Sequence, residues 1–310
     1  MRAHRLPAGE RTYTTGMDTR KLSHFLAVAE HGSFTKAGEA LFIAQPSLSQ
    51  SIRGLEHEVG GPLFRRLPRS LELTAAGEAL LGPARRALRA LQDASEAVRA
   101  VSTLQTGNVD ITAPRSLVTH PTVDIVTAFR LKYPKVSITI IESIDSAEAA
   151  ERVRDGFAEC GVLELSGSAK GLKTTHLFDY ELYVVFPPGT PNLTGAQAIS
   201  GEELAGRDLV AFPPGTVSRQ LLDKLELDAQ VSVEVRSASA LIALVVQGVG
   251  AAVMIETHAR EAAAQGAVAV PLRPAVRRRV GIALSSGESA PAAKEFARIA
   301  VTMFSAETAM

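Results

Sequence analysis

Apolar residues recur every three or four positions in the first part of the chain, which is the spacing of one helix face. The pattern predicts a helix over 19–31 and a shorter one from about 34 to 41. Gly32 is a typical helix stop, and Ser33 is a typical N-cap for the second helix. Gly38, inside that helix, is expected to cost about 1 kcal/mol relative to alanine.

A third helix is predicted around Pro46, because proline fits the first turn of a helix without losing a hydrogen bond. Its apolar stripe consists of Leu48, Ile52, Leu55 and Val59. The opposite face is expected to present Gln45, Ser49 and Arg53 at four-residue spacing, with Ser47 and Gln50 beside them. The run Gly60-Gly61-Pro62 is expected to end the helix.

Two short strands are predicted next, over 63–66 and 70–74, around a turn at Pro68-Arg69. Three short helices and a basic hairpin match a winged helix-turn-helix, whose Gln, Ser and Arg side chains donate to base edges and phosphates. The residues alone leave a second interpretation open, a small helical core with a solvated polar face. On that interpretation the arginines of the hairpin pair with Glu56, Glu58 or Glu72.

A long helix rich in Ala, Leu and Arg is predicted from 75 to about 103, kinked near its start by Pro83. A single exposed helix cannot bury its own apolar stripe, so we expect this helix to pair with a partner helix. The alternative is that it packs on its own domain.

Beyond Gly107, short apolar runs alternate with helical stretches. This alternation predicts an α/β architecture with largely parallel sheets, long enough for two lobes. Small ligands bind in clefts between lobes and at the carboxyl ends of strands. The predicted strands are Val109–Ala113, Val136–Ile141, Gly161–Leu165, Leu182–Phe186, Leu209–Phe212, Val231–Val235, Ala251–Ile255, Val268–Pro271 and Val280–Leu284.

Composition narrows the class of protein. Hydrophobic residues make up 46% of the 310 residues and charged residues 21%, which is typical of a soluble globular protein. The single cysteine, Cys160, excludes an internal disulfide framework. No apolar stretch reaches the ~20 residues that span a bilayer, and residues 1–16 lack the apolar segment of a signal peptide. We therefore expect a cytoplasmic protein with no membrane partner.

The net charge of zero hides an asymmetry along the chain. Residues 1–106 hold 14 Lys and Arg against 10 Asp and Glu, and the rest holds 19 against 23. A weakly basic module joined to an acidic one is compatible with a nucleic-acid partner for the first part.

The residues between 32 and 77 resemble the LysR-type transcriptional regulators, whose pattern they match without gaps. The matching runs are Gly32-Ser33-Phe34-Thr35, Ala44-Gln45-Pro46-Ser47-Leu48-Ser49, Ile52-Arg53-Gly54-Leu55-Glu56, Leu63-Phe64-Arg65-Arg66 with Arg69, and Leu73-Thr74-Ala75-Ala76-Gly77. The later runs Gly107-Asn108-Val109-Asp110-Ile111 and Gln247-Gly248-Val249-Gly250 resemble a strand and a glycine turn of the family's effector domain.

The resemblance implies an α-rich N-terminal module and an α/β effector domain similar to periplasmic binding proteins. The implied divisions are a disordered extension over 1–16, a winged helix-turn-helix over 17–74, a linker and dimerisation helix over 75–106, and an effector-binding domain over 107–310. Lobe I of that domain is expected over about 107–183 and 284–310, and lobe II over about 184–283.

The resemblance also implies which residues contact DNA. The start of the third helix should face the major groove, the start of the second should meet a phosphate, and Arg69 at the wing tip should enter the minor groove. The implied contact residues are Ser33, Thr35, Gln45, Pro46, Ser47, Ser49, Gln50, Arg53, Arg65, Arg66 and Arg69.

An effector pocket is expected between the lobes. Arg115-Ser116-Leu117 should open the first helix of the effector domain, where exposed N–H groups favour an anionic effector. The other implied pocket residues are Ser143, Ser146, Glu164, Phe212, Gly215 and Thr216. The serines have an alternative role as plain helix caps, and Glu164 as a solvated strand end.

These expectations together describe a DNA-binding transcriptional regulator that is controlled by a small molecule. It would bind an interrupted palindromic operator as a homodimer or homotetramer, without a cofactor or metal. An enzyme is disfavoured, because the histidines are scattered and GxGxxG, P-loop and GxSxG motifs are absent from the sequence. The alternatives are an architectural DNA-binding protein, a transport-type binding protein, and a cytoplasmic small-molecule-binding protein whose winged helix serves another partner.

Overall fold

The chain folds as two units that divide after Gln92. The computed structural model describes residues 18–67, 70–100, 107–191, 193, 197–224, 230–287 and 289–307. No helix within these ranges is both long and apolar enough to cross a membrane. The extension over 1–16, which the sequence predicts to be disordered, lies outside the described residues.

The first unit has three short helices, a hairpin and the start of a long helix. In chain order these elements are α1 (Thr19–His31), α2 (Phe34–Leu41), α3 (Gln45–Val59), β1 (Phe64–Arg66), β2 (Leu71–Leu73) and α4 (Ala75–Ala100). Gly32 ends α1 in the left-handed region at φ 56°, and the Ser33 hydroxyl caps α2 by accepting a hydrogen bond from Lys36 N at 3.4 Å. The predicted helix stop and N-cap are confirmed.

The core of this unit forms where the three helices meet the hairpin. Leu48, Ile52 and Leu55 of α3 are buried, as the apolar stripe predicts. The rings of Phe25 and Phe64 lie 5.5 Å apart and hold α1 against β1. Burial of one helix face leaves the other face of α3 available for a partner.

Gly38 is a point of close backbone approach between α2 and the turn that follows. A Cβ atom on Gly38 would lie 2.8 Å from Ile43 O, which is closer than real Cβ atoms come. The Ile43 N–H also donates to Gly38 O at 2.8 Å. The predicted local weakness is therefore offset, because this tight turn requires a residue without a side chain.

The second unit alternates strands and helices. Its strands are β3 (Gly107–Pro114), β4 (Val136–Ser143), β5 (Cys160–Glu164), β6 (Lys173–Phe186), β7 (Ile199–Ser200), β8 (Asp208–Ala211), β9 (Gln230–Glu234), β10 (Ala252–Ile255), β11 (Val268–Arg273) and β12 (Arg277–Leu284). Its helices are α5 (Arg115–Leu117), α6 (Val123–Lys132), α7 (Ser146–Arg154), α8 (Val217–Lys224), α9 (Ala238–Val246), α10 (Glu256–Ala264) and α11 (Pro291–Glu307).

The sheets are mixed, so the expectation of largely parallel sheets was wrong. The largest sheet runs in the order β4-β3-β5-β12-β6-β11-β7, with β10 also paired to β6. Strand β3 is parallel to β4 and β5, and β8 is parallel to β9. Both β6 and β12 run antiparallel to their partners, because the chain crosses between the lobes once in each direction.

Strand β6 belongs to both lobes. Its first part pairs with β12 from Lys173 to Glu181, and its last part pairs with β10 and β11 from Leu182 to Phe186. Strand β12, which the sequence-based division assigned almost entirely to lobe II, pairs with β5 and with the first part of β6. The cleft therefore opens beside two continuous strands that connect the lobes.

Candidate functional sites

The exposed face of α3 carries most of the predicted base-contacting residues. Gln45, Pro46, Ser47, Gln50 and Arg53 are all exposed, opposite the buried apolar stripe. Pro46 lies in the first turn, where its missing N–H costs no hydrogen bond. The first turn therefore presents amide and hydroxyl groups that can both donate and accept hydrogen bonds.

Ser49 does not share this exposed face. Only 9% of its surface is exposed, although the four-residue spacing predicts a position beside Gln45 and Arg53. Ser49 directly follows Leu48 and lies one turn before Ile52, so it flanks the buried stripe. The prediction of an exposed Ser49 was wrong.

The start of α2 and the wing hold the predicted phosphate-contacting residues. Thr35 is exposed next to the capping Ser33. Arg65 is 64% exposed, and its guanidinium pairs with Glu72 at 2.7 Å across the hairpin, one of the two arrangements that the sequence left open. Arg66 lies in β1, but its side chain lies outside the described residues, as does the whole of Arg69.

The second unit contains a cavity of about 190 Å³ in the cleft. The turn of α5, the start of α7, the end of β5 and the middle of β6 contribute to one side of it. The loop after β8, the starts of α8 and α9, and the junction of β10 with α10 contribute to the other side. The predicted pocket residues that line it are Arg115, Ser116, Ser146, Glu164, Phe212 and Thr216.

Three predicted pocket residues lie elsewhere. Leu117 is buried in the main core of the second unit. Ser143 is buried, and its hydroxyl donates to Asp145 O at 3.1 Å. Gly215 lines a neighbouring cavity of about 530 Å³ instead. Leu117 and Ser143 are therefore core residues and do not line the cavity.

A buried carboxyl group, that of Glu164, lines the 190 Å³ cavity. Glu164 is only 7% exposed, and its Oε1 accepts a hydrogen bond from the Tyr180 hydroxyl. Burial raises the pKa of Glu164, and the Tyr180 hydrogen bond opposes this effect only in part. The backbone N–H of Glu164 donates to the Ser146 hydroxyl at 3.0 Å, which fixes the strand end against α7.

His258 is a second buried titratable group at the cavity. Burial lowers its pKa, so the neutral imidazole is favoured. Its Nδ1 is buried without a hydrogen-bond partner among the described residues. His258 therefore contributes a neutral polar group to the lining of the cavity rather than a fixed positive charge.

The neighbouring 530 Å³ cavity shares Asp145, Ser146, Glu164 and Val217 with the smaller one. Its other side is basic, with Lys224 of α8 and the row Arg277–Arg279 of β12. Arg277 pairs with Glu181 at 2.7 Å. The cleft is therefore acidic where the two cavities join and basic along its outer edge.

Sequence reasoning missed several lining residues. Asp145, Tyr180, Ser218, Arg236 and His258 come from five separate segments and belong to no motif. Tyr180 lies in the part of β6 that precedes the predicted strand. A polar residue next to a predicted strand end was one available signal, and it would have pointed to Arg236, which directly follows the predicted strand Val231–Val235.

α5 is also shorter than the predicted anion site needs. The helix begins at Arg115 as predicted but contains only three residues, and it is followed by a kinked segment over Val118–Thr122 in which His120 has extended backbone (φ −142°, ψ 128°). Arg115 pairs with Glu142 at 3.3 Å. One helical turn has little dipole, so this terminus by itself does not make an anion site.

Comparison with known families gives two matches that together cover most of the chain. Residues 19–78 match the family model described as bacterial regulatory helix-turn-helix protein, lysR family. Residues 102–305 match the model described as LysR substrate binding domain.

Individual proteins agree with these matches. The nitrogen assimilation regulatory protein nac of Escherichia coli is 30% identical over 249 residues, covering 79% of this chain and 80% of its own length. A full-length OxyR variant from Pseudomonas aeruginosa has a TM-score of 0.75 at 22% identity, covering 93% of this chain and 96% of that one. CbnR, a LysR family transcriptional regulator, has a TM-score of 0.64 at 20% identity, covering 93% and 99%.

Proposed function

The chain belongs to the LysR family of DNA-binding transcriptional regulators, and we propose that it reads an interrupted palindromic operator under the control of a small anionic effector. The observation that carries the DNA-binding part is the exposed polar face of α3 on a module that matches the family over 19–78. The proposed role is regulation without catalysis, in the cytoplasm, where the operator DNA would be.

Operator contacts are proposed from the chemistry of the exposed groups. Gln45 and Gln50 would make bidentate contacts with adenine, and Arg53 would contact guanine or a phosphate. Pro46 and Ser47 would lie against the base edges, with Ser49 beside them on the flank of the helix. Ser33, Thr35, Arg65 and Arg66 would bind the DNA backbone, and Arg69 the minor groove.

A symmetric assembly is part of the proposal. A homodimer would place two copies of α3 on half-sites about one helical turn apart, and a homotetramer would engage two such sites. Pairing through α4 of two copies would bury the apolar positions that one long helix cannot cover alone.

Effector control is proposed to act through the cleft of the second unit. A ligand bound there favours whichever arrangement of the lobes it contacts more extensively. A ligand that bound both arrangements equally well would change nothing, however tightly it bound. The cavity of about 190 Å³, lined from both lobes, is the site where such a preference would arise.

Capture of sheared genomic DNA by the purified protein, followed by sequencing, tests the proposal. The experiment is done at near-physiological salt, because nonspecific binding to phosphates falls steeply with salt. We expect enriched fragments that share an interrupted palindrome. Folded protein that enriches no sequence, with or without metabolite extract, would contradict the proposed role.

Replacement of Gln50 by alanine is expected to weaken operator binding selectively. A bidentate amide–adenine contact contributes about 1–3 kcal/mol of discrimination, so Gln50→Ala should lower specific affinity by about 5- to 150-fold and leave nonspecific affinity unchanged. Fluorescence anisotropy with operator and scrambled DNA measures both. The matched control is Gln265→Ala, an exposed glutamine at the end of α10. Equal operator affinity in both variants would remove α3 from the proposed contact.

A bulky residue at Ser116 is expected to abolish the effector response while DNA binding persists. Ser116→Trp would fill part of a cavity of about 190 Å³ and exclude a ligand. The response is measured as transcription from a promoter next to a captured genomic fragment, with and without metabolite extract. Ser305→Trp, on an exposed position of α11, is the control. A normal response in Ser116→Trp would place the effector elsewhere.

A further inference from the structure

Polar and apolar residues both line the 190 Å³ cavity, but most of the surface that they expose to it is apolar. The apolar residues come from both lobes: Pro114, Ile144, Phe212, Pro213, Pro214, Val217, Ala238 and Ile255. A ligand that fills this space must therefore bury an apolar body of matching size.

The lining also contains a buried carboxyl group, that of Glu164. Its Oε1 accepts the Tyr180 hydroxyl, whereas Oε2 makes no hydrogen bond with any residue that the structure describes. Glu164 lines the cavity, so a ligand that fills the cavity displaces water from this oxygen, and a charged acceptor that is then left without a donor weakens binding. A donor from the ligand would avoid this loss.

A second carboxyl group, that of Asp145, lines the cavity and lies close enough to Glu164 to affect it electrostatically. Asp145 accepts hydrogen bonds from Ala147 N and Glu148 N through Oδ1, at 2.9 Å each, and caps α7. Its Oδ2 has no hydrogen-bond donor among the residues described. Each of the two carboxyl groups thus has one oxygen that accepts no hydrogen bond from the described residues. This arrangement favours a ligand that carries a hydrogen-bond donor or a positive charge.

The groups around Glu164 supply no such donor themselves. The Ser146 hydroxyl accepts from the Glu164 backbone N–H and makes no hydrogen bond with the Glu164 carboxyl group, and the Tyr180 hydroxyl donates to Oε1. Arg278 of β12 is close enough to affect Glu164 electrostatically, but it makes no hydrogen bond with it. Two cationic residues, Arg115 and Arg236, also line the cavity, and Arg115 pairs with Glu142 at 3.3 Å.

We propose that the effector is a small amphoteric acid, with an ammonium or hydroxyl group that donates to Glu164 Oε2 and an apolar body against Phe212 and Ile255. Its acidic group lies toward Arg115 and Arg236. This inference rests on the proposed function, because it takes the cavity as the effector site. It changes the expected ligand from a simple anion to an amino- or hydroxy-substituted acid.

Matched pairs of compounds test the inference on the full-length protein. The pairs are L-phenylalanine with 3-phenylpropanoate, L-leucine with 4-methylpentanoate, and 4-hydroxybenzoate with benzoate, so each pair differs only by a donor group. Thermal unfolding of the wild-type protein is measured with each compound. We expect at least one donor-bearing compound to raise the unfolding temperature and its donor-free partner to have no effect.

The role of Glu164 is tested with the stabilising compound by calorimetry. Glu164→Gln keeps the shape but removes the charge, and a hydrogen bond to a charged group is worth about 1.5–3 kcal/mol, so affinity should fall about ten-fold or more. Glu202→Gln, an exposed carboxyl group outside the cavity, should bind like the wild type.

Three results would overturn the inference. A donor-free compound could stabilise the wild-type protein as strongly as its donor-bearing partner, or none of the compounds could stabilise it. The third is that the stabilising compound binds Glu164→Gln as tightly as it binds the wild type. If Glu164→Gln does not fold, the comparison of paired compounds on the wild-type protein still tests the inference. Genomic capture separates the two proposals. If an operator is enriched but the compounds show no preference for a donor group, only this inference is wrong. If no operator is enriched, the proposed regulator function is wrong, whichever compound binds.

Discussion

Gly77→Ala is expected to unfold the DNA-binding unit at moderate temperature. A Cβ atom at this position would lie 2.2 Å from Leu63 O and 2.8 Å from the Leu73 side chain. Leu63 O cannot move away freely, because it accepts a hydrogen bond from Thr74 N at 2.9 Å. Overpacking of this kind costs about 3 kcal/mol, which lowers the unfolding temperature of a small unit by about 10–20 °C.

The same substitution should abolish operator binding, because Gly77 joins the hairpin to α4. The Gly77 N–H donates to the Thr74 hydroxyl at 3.1 Å, and that hydroxyl donates to Pro62 O at 2.6 Å. Circular dichroism during heating, and anisotropy with operator DNA, measure the two effects. Gly61→Ala is the matched control, since a Cβ there meets nothing within 4 Å. Near-wild-type behaviour of Gly77→Ala would mean that the turn before α4 is not packed as described.

Phe296→Ala should produce the largest loss of stability in the effector-binding unit. Phe296 of α11 is fully buried, and its ring centroid lies 5.6 Å from that of Phe129 in α6. Truncating a buried phenylalanine costs about 3–5 kcal/mol, because the lost apolar burial adds to the cavity left behind. Differential scanning calorimetry should record an earlier transition for this unit and an unchanged one for the DNA-binding unit.

Leu131→Ala is the control for that experiment. Leu131 lies on α6 near Phe129 but is 82% exposed, so its truncation should change the free energy of unfolding by less than about 0.5 kcal/mol. Equal effects of the two substitutions would show that α6 and α11 do not pack through the phenylalanine pair.

Local sequence signals predicted the elements well. The predicted ends of α1 and α2 agree with the structure, since Gly32 and Ser33 carry direct stop and cap chemistry. Each predicted strand overlaps an observed one, because a run of buried apolar residues is visible without knowledge of its partners. The two-residue strand β7 was missed, since two residues give no periodicity.

Strand direction and the identity of the residues that line the cavity could not be predicted from local sequence signals. Alternation of strands and helices favours parallel pairing, but β6 and β12 return between lobes without a helix that marks the reversal. Ser143 and Ser146 look alike as serines near a strand end, yet only Ser146 lines the cavity. Which side chain faces the cleft depends on the twist of the strand end and on Asp145, which lies between them in the chain.

The burial of Ser49 shows a similar limit. Helical spacing fixes the direction of a side chain around the axis of α3, but the neighbours decide how much of it is covered. A residue at the edge of an apolar stripe can be covered by an adjacent helix, and helix packing is not contained in the spacing of one segment.

The continuity of β6 bears on how this protein can recombine with its relatives. Residues 173–181 pair with β12, and residues 182–186 of the same strand pair with β10 and β11. Exchange of one lobe alone would need a junction inside a strand that is hydrogen-bonded on both sides, and every cross-strand contact there would have to match. We therefore expect the two lobes to be exchangeable only together, and effector specificity to be altered by substitution within the cleft rather than by exchange of a lobe.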